Sequence, residues 1–272
     1  MSEAITEARN PRAKALSSLS TRQLLELMND EDATVPGAVR DAIPEIERAV
    51  DVVAAALSKG GGLRYVGAGT SGRLGVLDAS EAPPTFGVDP ELVHGIMAGG
   101  DHALRRSIEG AEDDAEAGAR DVRAVMRSGD VLVGISASGR ARYVLAAIAA
   151  AKEIGGRTIA ITCDPGSPLA SAAEVAVVLR VGPEVLAGSS RLKAGTATKL
   201  ALNMISTTTM VKLGKTKGDL MIDMRPVSAK LRERAIRIVR DETGLAEEEA
   251  RSRLEASGWD VRAVLDSSSE KR

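Results

Sequence analysis

Aromatic side chains are nearly absent from this chain. Tyr65, Phe86, Tyr143 and Trp259 are the only ones among 272 residues, which excludes a surface that reads nucleobases by stacking. A formal net charge of −2 removes the electrostatic reason to bind DNA or RNA. Cysteine occurs once, at Cys163, and histidine twice, at His94 and His102. An intrachain disulfide, a Cys-rich zinc site and a multi-histidine metal centre are thereby excluded. No run of ~18 apolar residues is available to cross a bilayer. The opening MSEAITEARNPRAK has no apolar core of a secretory signal. The chain is expected in the cytoplasm, with neither a nucleic acid nor a membrane as partner.

What is present is a sizeable core and two unusual loops. Hydrophobic residues make up 44% of the chain, enough for one large α/β domain with a small appendage. The first loop, Gly67-Ala68-Gly69-Thr70-Ser71-Gly72-Arg73, follows the apolar run Leu63–Val66. The second, Ser136-Ala137-Ser138-Gly139-Arg140, follows Val131–Ile135. Each reads as strand, tight turn and helix start. There, backbone N–H groups lack helical partners and the helix dipole favours an anion. Glycine admits a close ligand, and hydroxyls add donors without bulk. Capping needs only one hydroxyl per helix. Two per loop, on strands that could lie side by side, point to one phosphate held by Thr70, Ser71, Ser136 and Ser138. Gly67, Gly69 and Gly72 do spell G-x-G-x-x-G, but no acidic residue follows at the end of a second strand, so a dinucleotide is not the ligand expected.

Around these loops strands and helices alternate. Residues 16–57 read as helical, with an N-cap region at Ser20–Gln23 and an amphipathic helix over Val35–Leu57. Lys59–Gly62 breaks the pattern. Leu63–Val66, Gly95–Ala98, Val131–Ile135, Thr158–Thr162 and Val175–Val181 read as strands. Arg73–Ala79, residues 112–126, Tyr143–Glu153 and Thr196–Leu213 read as helices, the first stopping before Pro83-Pro84. This order predicts a doubly wound parallel sheet with helices on both faces, its ligand at the carboxyl ends of the strands. From residue 229 the chain turns charged. Three short helices, over Ala235–Glu242, Ala246–Leu254 and Val261–Leu265, form a small appendage, and the tail Ser267–Arg272 is expected to fray. The expected division is an N-terminal helical segment over 1–54, a sugar-phosphate domain over 55–228 and a helical domain over 229–272.

Two glutamates stand near the loops in sequence. Glu81 lies in Asp78-Ala79-Ser80-Glu81-Ala82-Pro83-Pro84, read as a proline-braced loop. Glu112 lies among Glu109, Asp113, Asp114 and Glu116, read as a helix face. Taken alone, each is an ordinary solvated carboxylate. A third stretch, Gly182–Thr196 (GPEVLAGSSRLKAGT), is less ordinary. It places Arg191 and Lys193 at a helix start, against the dipole, which calls for an anion nearby.

Gly182–Thr196 resembles the signature of the sugar isomerase (SIS) branch shared by N-acetylmuramic acid 6-phosphate etherases and glucokinase regulatory proteins. Val66–Gly87, VGAGTSGRLGVLDASEAPPTFG, resembles the etherases nearly residue for residue, as do Ile108–Asp113 and Leu19–Leu27. The resemblance covers about residues 16–265. It implies an SIS fold with a small helical, UBA-like C-terminal domain, a homodimer, and no metal or organic cofactor. It also implies cleavage of the D-lactyl ether of N-acetylmuramic acid 6-phosphate to N-acetylglucosamine 6-phosphate and D-lactate, in cell-wall recycling. The family's proton donor falls on Glu81 and its second active-site glutamate on Glu112. One departure is Ala141, where the second loop's pattern has threonine. Two other readings share the fold: an aldose–ketose sugar-phosphate isomerase, and a non-catalytic sugar-phosphate sensor.

Overall fold

Val131–Ile135 is apolar throughout because it is the middle strand of a parallel sheet covered on both faces. The computed structural model describes residues 5–269. In chain order the helices and strands are α1 (Thr21–Asp32), α2 (Val35–Asp41), α3 (Ile43–Leu57), β1 (Leu63–Gly67), α4 (Gly69–Phe86), β2 (Val93–Met97), α5 (His102–Arg105), α6 (Ala115–Val125), β3 (Val131–Ile135), α7 (Arg142–Ile154), β4 (Arg157–Thr162), α8 (Pro168–Ala172), β5 (Val175–Val178), α9 (Lys193–Lys212), α10 (Ala229–Thr243), α11 (Glu247–Ala256) and α12 (Val261–Ser269). All strand pairs are parallel, in the order β2-β1-β3-β4-β5.

The chain divides into two compact units, one of residues 1–80 and 91–209, the other of 81–90 and 210–272. In the first, Val66, Leu132 and Ala160 turn one sheet face toward α6, α7 and α8, where Val122, Val144, Ile148 and Leu169 close the core. The other face meets α3 and α4. Helix α4 approaches so closely that a Cβ on Gly95 would stand 2.6 Å from Val76 Cα. In the second unit, α10, α11 and α12 pack through Ile236, Val239, Leu254, Val261 and Leu265. There the three helices foreseen are present. The first begins earlier, at Ala229, because Ser228 caps it by accepting the Leu231 N–H. Ser267 to Ser269 continue α12 rather than fraying, and residues 270–272 lie outside the described residues.

Several element boundaries differ from the sequence reading. The helix foreseen over Val35–Leu57 is two, α2 and α3, separated at Ala42, with Pro44 in the first turn of α3 where its missing N–H costs nothing. The helix foreseen over Arg73–Ala79 begins inside the glycine loop and runs through Pro83 and Pro84. Those prolines sit in its last turn, so each forfeits a single helical N–H without ending the coil. Glu81 is therefore helical and exposed, not on a loop. The helix foreseen over 112–126 begins only at Ala115, where Asp114 accepts the Ala117 N–H as its N-cap. The last strand stops at Val178, and the Val181 N–H folds back onto the Leu179 carbonyl. Helix α9 starts at Lys193, three residues before the start expected. The N-cap region read at Ser20–Gln23 is a capping box, with Ser20 and Gln23 exchanging side-chain to backbone bonds.

Candidate active site

The strand order reverses between β1 and β3, so the crevice of this sheet opens at their carboxyl ends. The register sets Gly67 opposite Ile135, which makes the two hydroxyl loops emerge side by side.

In the first loop, a Cβ on Gly67 would lie 2.6 Å from Gly72 N, and one on Gly72 would lie 2.6 Å from Gly67 O. This glycine pair lets α4 start directly against the strand. Thr70 and Ser71 thus occupy its first turn, among N–H groups that have no helical acceptor. In the second loop, Ser136 Oγ accepts the Gly139 N–H at 3.1 Å and Ser138 Oγ accepts the Arg140 N–H at 3.3 Å. Each oxygen that accepts a backbone N–H keeps its own O–H to donate. Ala141 is the N-cap of α7 and makes no side-chain cap bond.

A cavity of about 220 Å³ collects these side chains: Thr70, Ser71, Ser136 and Ser138 line it together with Glu112 and Ser190. Glu112 sits in a 3-10 turn, Ala111–Asp113, entered through Gly110 at φ 74°, and is exposed. It also borders an adjoining cavity of about 360 Å³ that shares Ala68 and Gly69. Glu81 is not among the residues lining either cavity and falls in the second unit. A larger cavity, about 670 Å³, lies within that second unit around Trp259 and Arg232. It contains neither hydroxyl loop, so the smaller cavity, where donors converge, is the candidate site.

The anion that Arg191 and Lys193 call for is supplied, at Lys193, by the protein itself. Glu184 caps α9, accepting the N–H groups of Lys193 and Ala194 at 3.0 Å each. Lys193 Nζ lies 2.6 Å from Glu31 Oε2, both side chains being buried. Burial pushes the Glu31 carboxyl up, but Lys193, Asn10 and Arg12 outweigh it and hold the group below its ordinary range. The arginines of the two loops are likewise engaged with the protein. Arg73 donates to the Leu104 and Ala103 carbonyls at 3.0 and 2.7 Å, and Arg140 faces Asp164 at 3.4 Å.

Three lining residues with polar side chains escaped the sequence reading: Thr6, Glu7 and Ser190. Only Ser190 carried a signal, its place in the Gly182–Thr196 stretch. Also unforeseen is the buried Asp78, which accepts from Tyr65 Oη at 2.9 Å and Ser206 Oγ at 3.2 Å, with Lys199 Nζ 3.7 Å away. It ties α4 to β1 and α9. Burial raises its carboxyl above the usual range, and these contacts offset only part of that. Among the described residues no group of three or more His, Cys, Asp and Glu side chains is placed to hold a metal ion. No described helix is long and apolar enough to cross a membrane.

Residues 45–152 match the glucokinase regulatory protein N-terminal SIS domain, and residues 111–208 match the SIS domain. A phosphoheptose isomerase from Neisseria gonorrhoeae shares the fold, with a TM-score of 0.54 at 21% identity over 70% of this chain and 98% of that one. The N-acetylmuramic acid 6-phosphate etherase of Gloeobacter violaceus is 54% identical over 96% of this chain and 86% of its own. That of Cronobacter sakazakii is 50% identical over 96% of this chain and 88% of its own. That of Aeromonas hydrophila is 54% identical over 89% and 82%. At such identity over nearly the whole length, the chain belongs to the N-acetylmuramic acid 6-phosphate etherase family.

Proposed function

We propose that this chain cleaves the D-lactyl ether of N-acetylmuramic acid 6-phosphate, yielding N-acetylglucosamine 6-phosphate and D-lactate in the recycling of cell-wall amino sugars. The observation that carries the reading is 50% identity over 96% of the chain to a protein of that name. The cavity that unites both hydroxyl loops with Glu112 supports it. In this reading Thr70, Ser71, Ser136 and Ser138 hold the phosphate. Binding energy won there, remote from the breaking bond, orients the reacting carbons.

The chemistry asks for two proton-transfer groups. The open-chain sugar carries an aldehyde at C1, which makes the C2 proton removable. Glu112 takes that proton. The electron pair forms the C2–C3 double bond, the C3–O bond breaks, and Glu81, assigned here on the family resemblance alone, protonates the departing lactate oxygen. Glu81, now a carboxylate, takes a proton from water as the water oxygen adds to C3, and Glu112 returns its proton to C2 to give N-acetylglucosamine 6-phosphate. Each such group contributes typically about 10²–10⁴-fold. No metal or organic cofactor enters this scheme. The protein is proposed to work as a homodimer in the cytoplasm, with no nucleic-acid or membrane partner.

The deciding assay incubates the protein with N-acetylmuramic acid 6-phosphate and measures D-lactate and N-acetylglucosamine 6-phosphate. Both should appear in equal amounts. Sugar-phosphate turnover without lactate would replace this reading by an isomerase, and no turnover at all would replace it by a sensor.

A further inference from the structure

The N-terminal segment ahead of α1 reaches the candidate phosphate cavity, where Thr6 and Glu7 form part of the lining. Its course is fixed by named contacts. The Thr6 carbonyl accepts the Gly188 N–H at 3.1 Å. Asn10 donates to Glu31 Oε2 at 2.8 Å and to the Pro183 carbonyl at 3.2 Å. Arg12 reaches Glu31 at 3.1 Å and Asp30 at 2.8 Å. The Glu7 carboxylate lies beside the 188 loop, its Oε2 2.9 Å from where a Cβ on Gly188 would stand.

Within this braced segment Thr6 is 2% exposed, and its Oγ1 has no hydrogen-bond partner among the described residues. A buried hydroxyl without a partner destabilises a fold, and valine would fill nearly the same volume without that cost. The placement makes sense if the hydroxyl serves a ligand. The cavity it lines is the one lined by four other hydroxyls on two anion-suited loops, and a phosphate monoester presents several acceptor oxygens to such donors.

We propose that Thr6 is a substrate-binding residue, its hydroxyl donating to the phosphate of the sugar phosphate held by the two loops. The inference rests on the function proposed above. It adds the N-terminal segment to the phosphate cradle as a third element, braced by the Asn10–Glu31–Lys193 cluster.

The test compares wild type with Thr6→Val and Thr6→Ser. Binding of N-acetylglucosamine 6-phosphate is measured by calorimetry, kcat and KM by lactate release, and the thermal midpoint without ligand. Thr6→Val should bind the sugar phosphate at least about 10-fold more weakly and raise KM to match, the loss expected for one hydrogen bond to a charged group. Its kcat should stay within about threefold, because the four hydroxyls of the two loops still hold and orient the bound sugar phosphate. Its thermal midpoint should be unchanged or higher, because the orphaned hydroxyl is gone. Thr6→Ser should restore wild-type binding. Wild-type affinity and KM in Thr6→Val overturn the proposal, and so does a joint fall of kcat and thermal midpoint, which marks a structural role. If the wild type binds the sugar phosphate but releases no lactate, the etherase reading fails while the calorimetry still decides Thr6. A wild type that binds no sugar phosphate overturns both.

Discussion

Replacing Lys193 by methionine separates charge from packing at the base of the site. Lys193 Nζ lies 2.6 Å from Glu31 Oε2, with side chains 5% and 9% exposed. Methionine retains most of the apolar stem but leaves the Glu31 carboxylate buried with only Asn10 and Arg12 as partners. Removing one member of a buried pair costs about 3–5 kcal/mol, and the two remaining partners put this case near the lower end, about 3 kcal/mol. With a urea slope of about 2 kcal/mol/M, the unfolding midpoint should fall by about 1.5 M. The pH dependence fixes the mechanism. In the wild type burial raises the Glu31 carboxyl, but Lys193, Asn10 and Arg12 bring it below its ordinary value of 4.5. A carboxyl depressed on folding contributes stability above its unfolded value, and that contribution is lost as pH falls through the folded value. Without Lys193 the burial effect gains weight, so the folded variant protonates Glu31 at higher pH than the wild type does. The stability gap should therefore be widest near neutral pH and narrow below about pH 4. Urea unfolding followed by circular dichroism at both pH values reads the gap directly. An equal gap at both would show that Lys193 acts by packing alone and would refute this reasoning. The double variant Glu31→Leu, Lys193→Met should regain much of the loss, since no uncompensated charge remains.

Other outcomes follow from the same geometry. Glu81→Gln should lower lactate release about 10²–10⁴-fold while sparing solvent exchange of the C2 proton relative to cleavage, and Glu112→Gln should slow that exchange; deuterium uptake seen by NMR separates the two. Ser71→Ala and Ser138→Ala should each weaken sugar-phosphate binding by about 1.5–3 kcal/mol, and calorimetry showing equal affinity for phosphorylated and unphosphorylated sugar would remove the cradle. Ala141→Thr should add an N-cap to α7 worth about 0.5–2 kcal/mol and leave KM equal or lower, whereas a higher KM with a lower melting temperature would mean that the pocket has no room for the added atoms. Cys163, 1% exposed and with burial pushing its thiol up to about 12, should resist thiol reagents until the protein unfolds, as read by labelling across a urea series.

The strands were legible because buried parallel strands are largely apolar runs, and Gly67 ends the first of them. Gly67 and Gly72 could be read as a tight strand-to-helix turn, and the structure shows the close approach that requires them. The pairing of β1 with β3 could be guessed from two similar loops, although only the sheet register establishes it. Helix ends were harder to read. Proline signals a stop only on average, and in α4 the last turn absorbs Pro83 and Pro84. Glu112 read as a helix-face residue, since nothing in the local composition announces that Asp114 takes the capping role. Thr6 carried no signal at all. Its place in the cavity depends on Asn10 and Arg12 finding Glu31 and on Thr6 finding Gly188, contacts distant in sequence.

Arg191 and Lys193 at a helix start oppose the dipole, and an anion was rightly expected. At Lys193 that anion is internal, because Glu184 occupies the helix start and Glu31 neutralises the ammonium. Arg73 and Arg140, which close the two loops in sequence, are also turned to protein oxygens. Among the described residues, no lysine or arginine then lines the cavity, which instead offers hydroxyls and backbone N–H groups at two helix starts beside the Glu7 and Glu112 carboxylates. Lysines and arginines would attract any negative charge over a Debye length of ~10 Å. Donors fixed at hydrogen-bond distance reward an oxyanion only when its oxygens meet them in place. Carboxylates at the border further disfavour an anion that is merely nearby. Selectivity in such a cavity comes from the positions of its donors, which is why the glycines that set the backbone matter to it as much as the hydroxyls do.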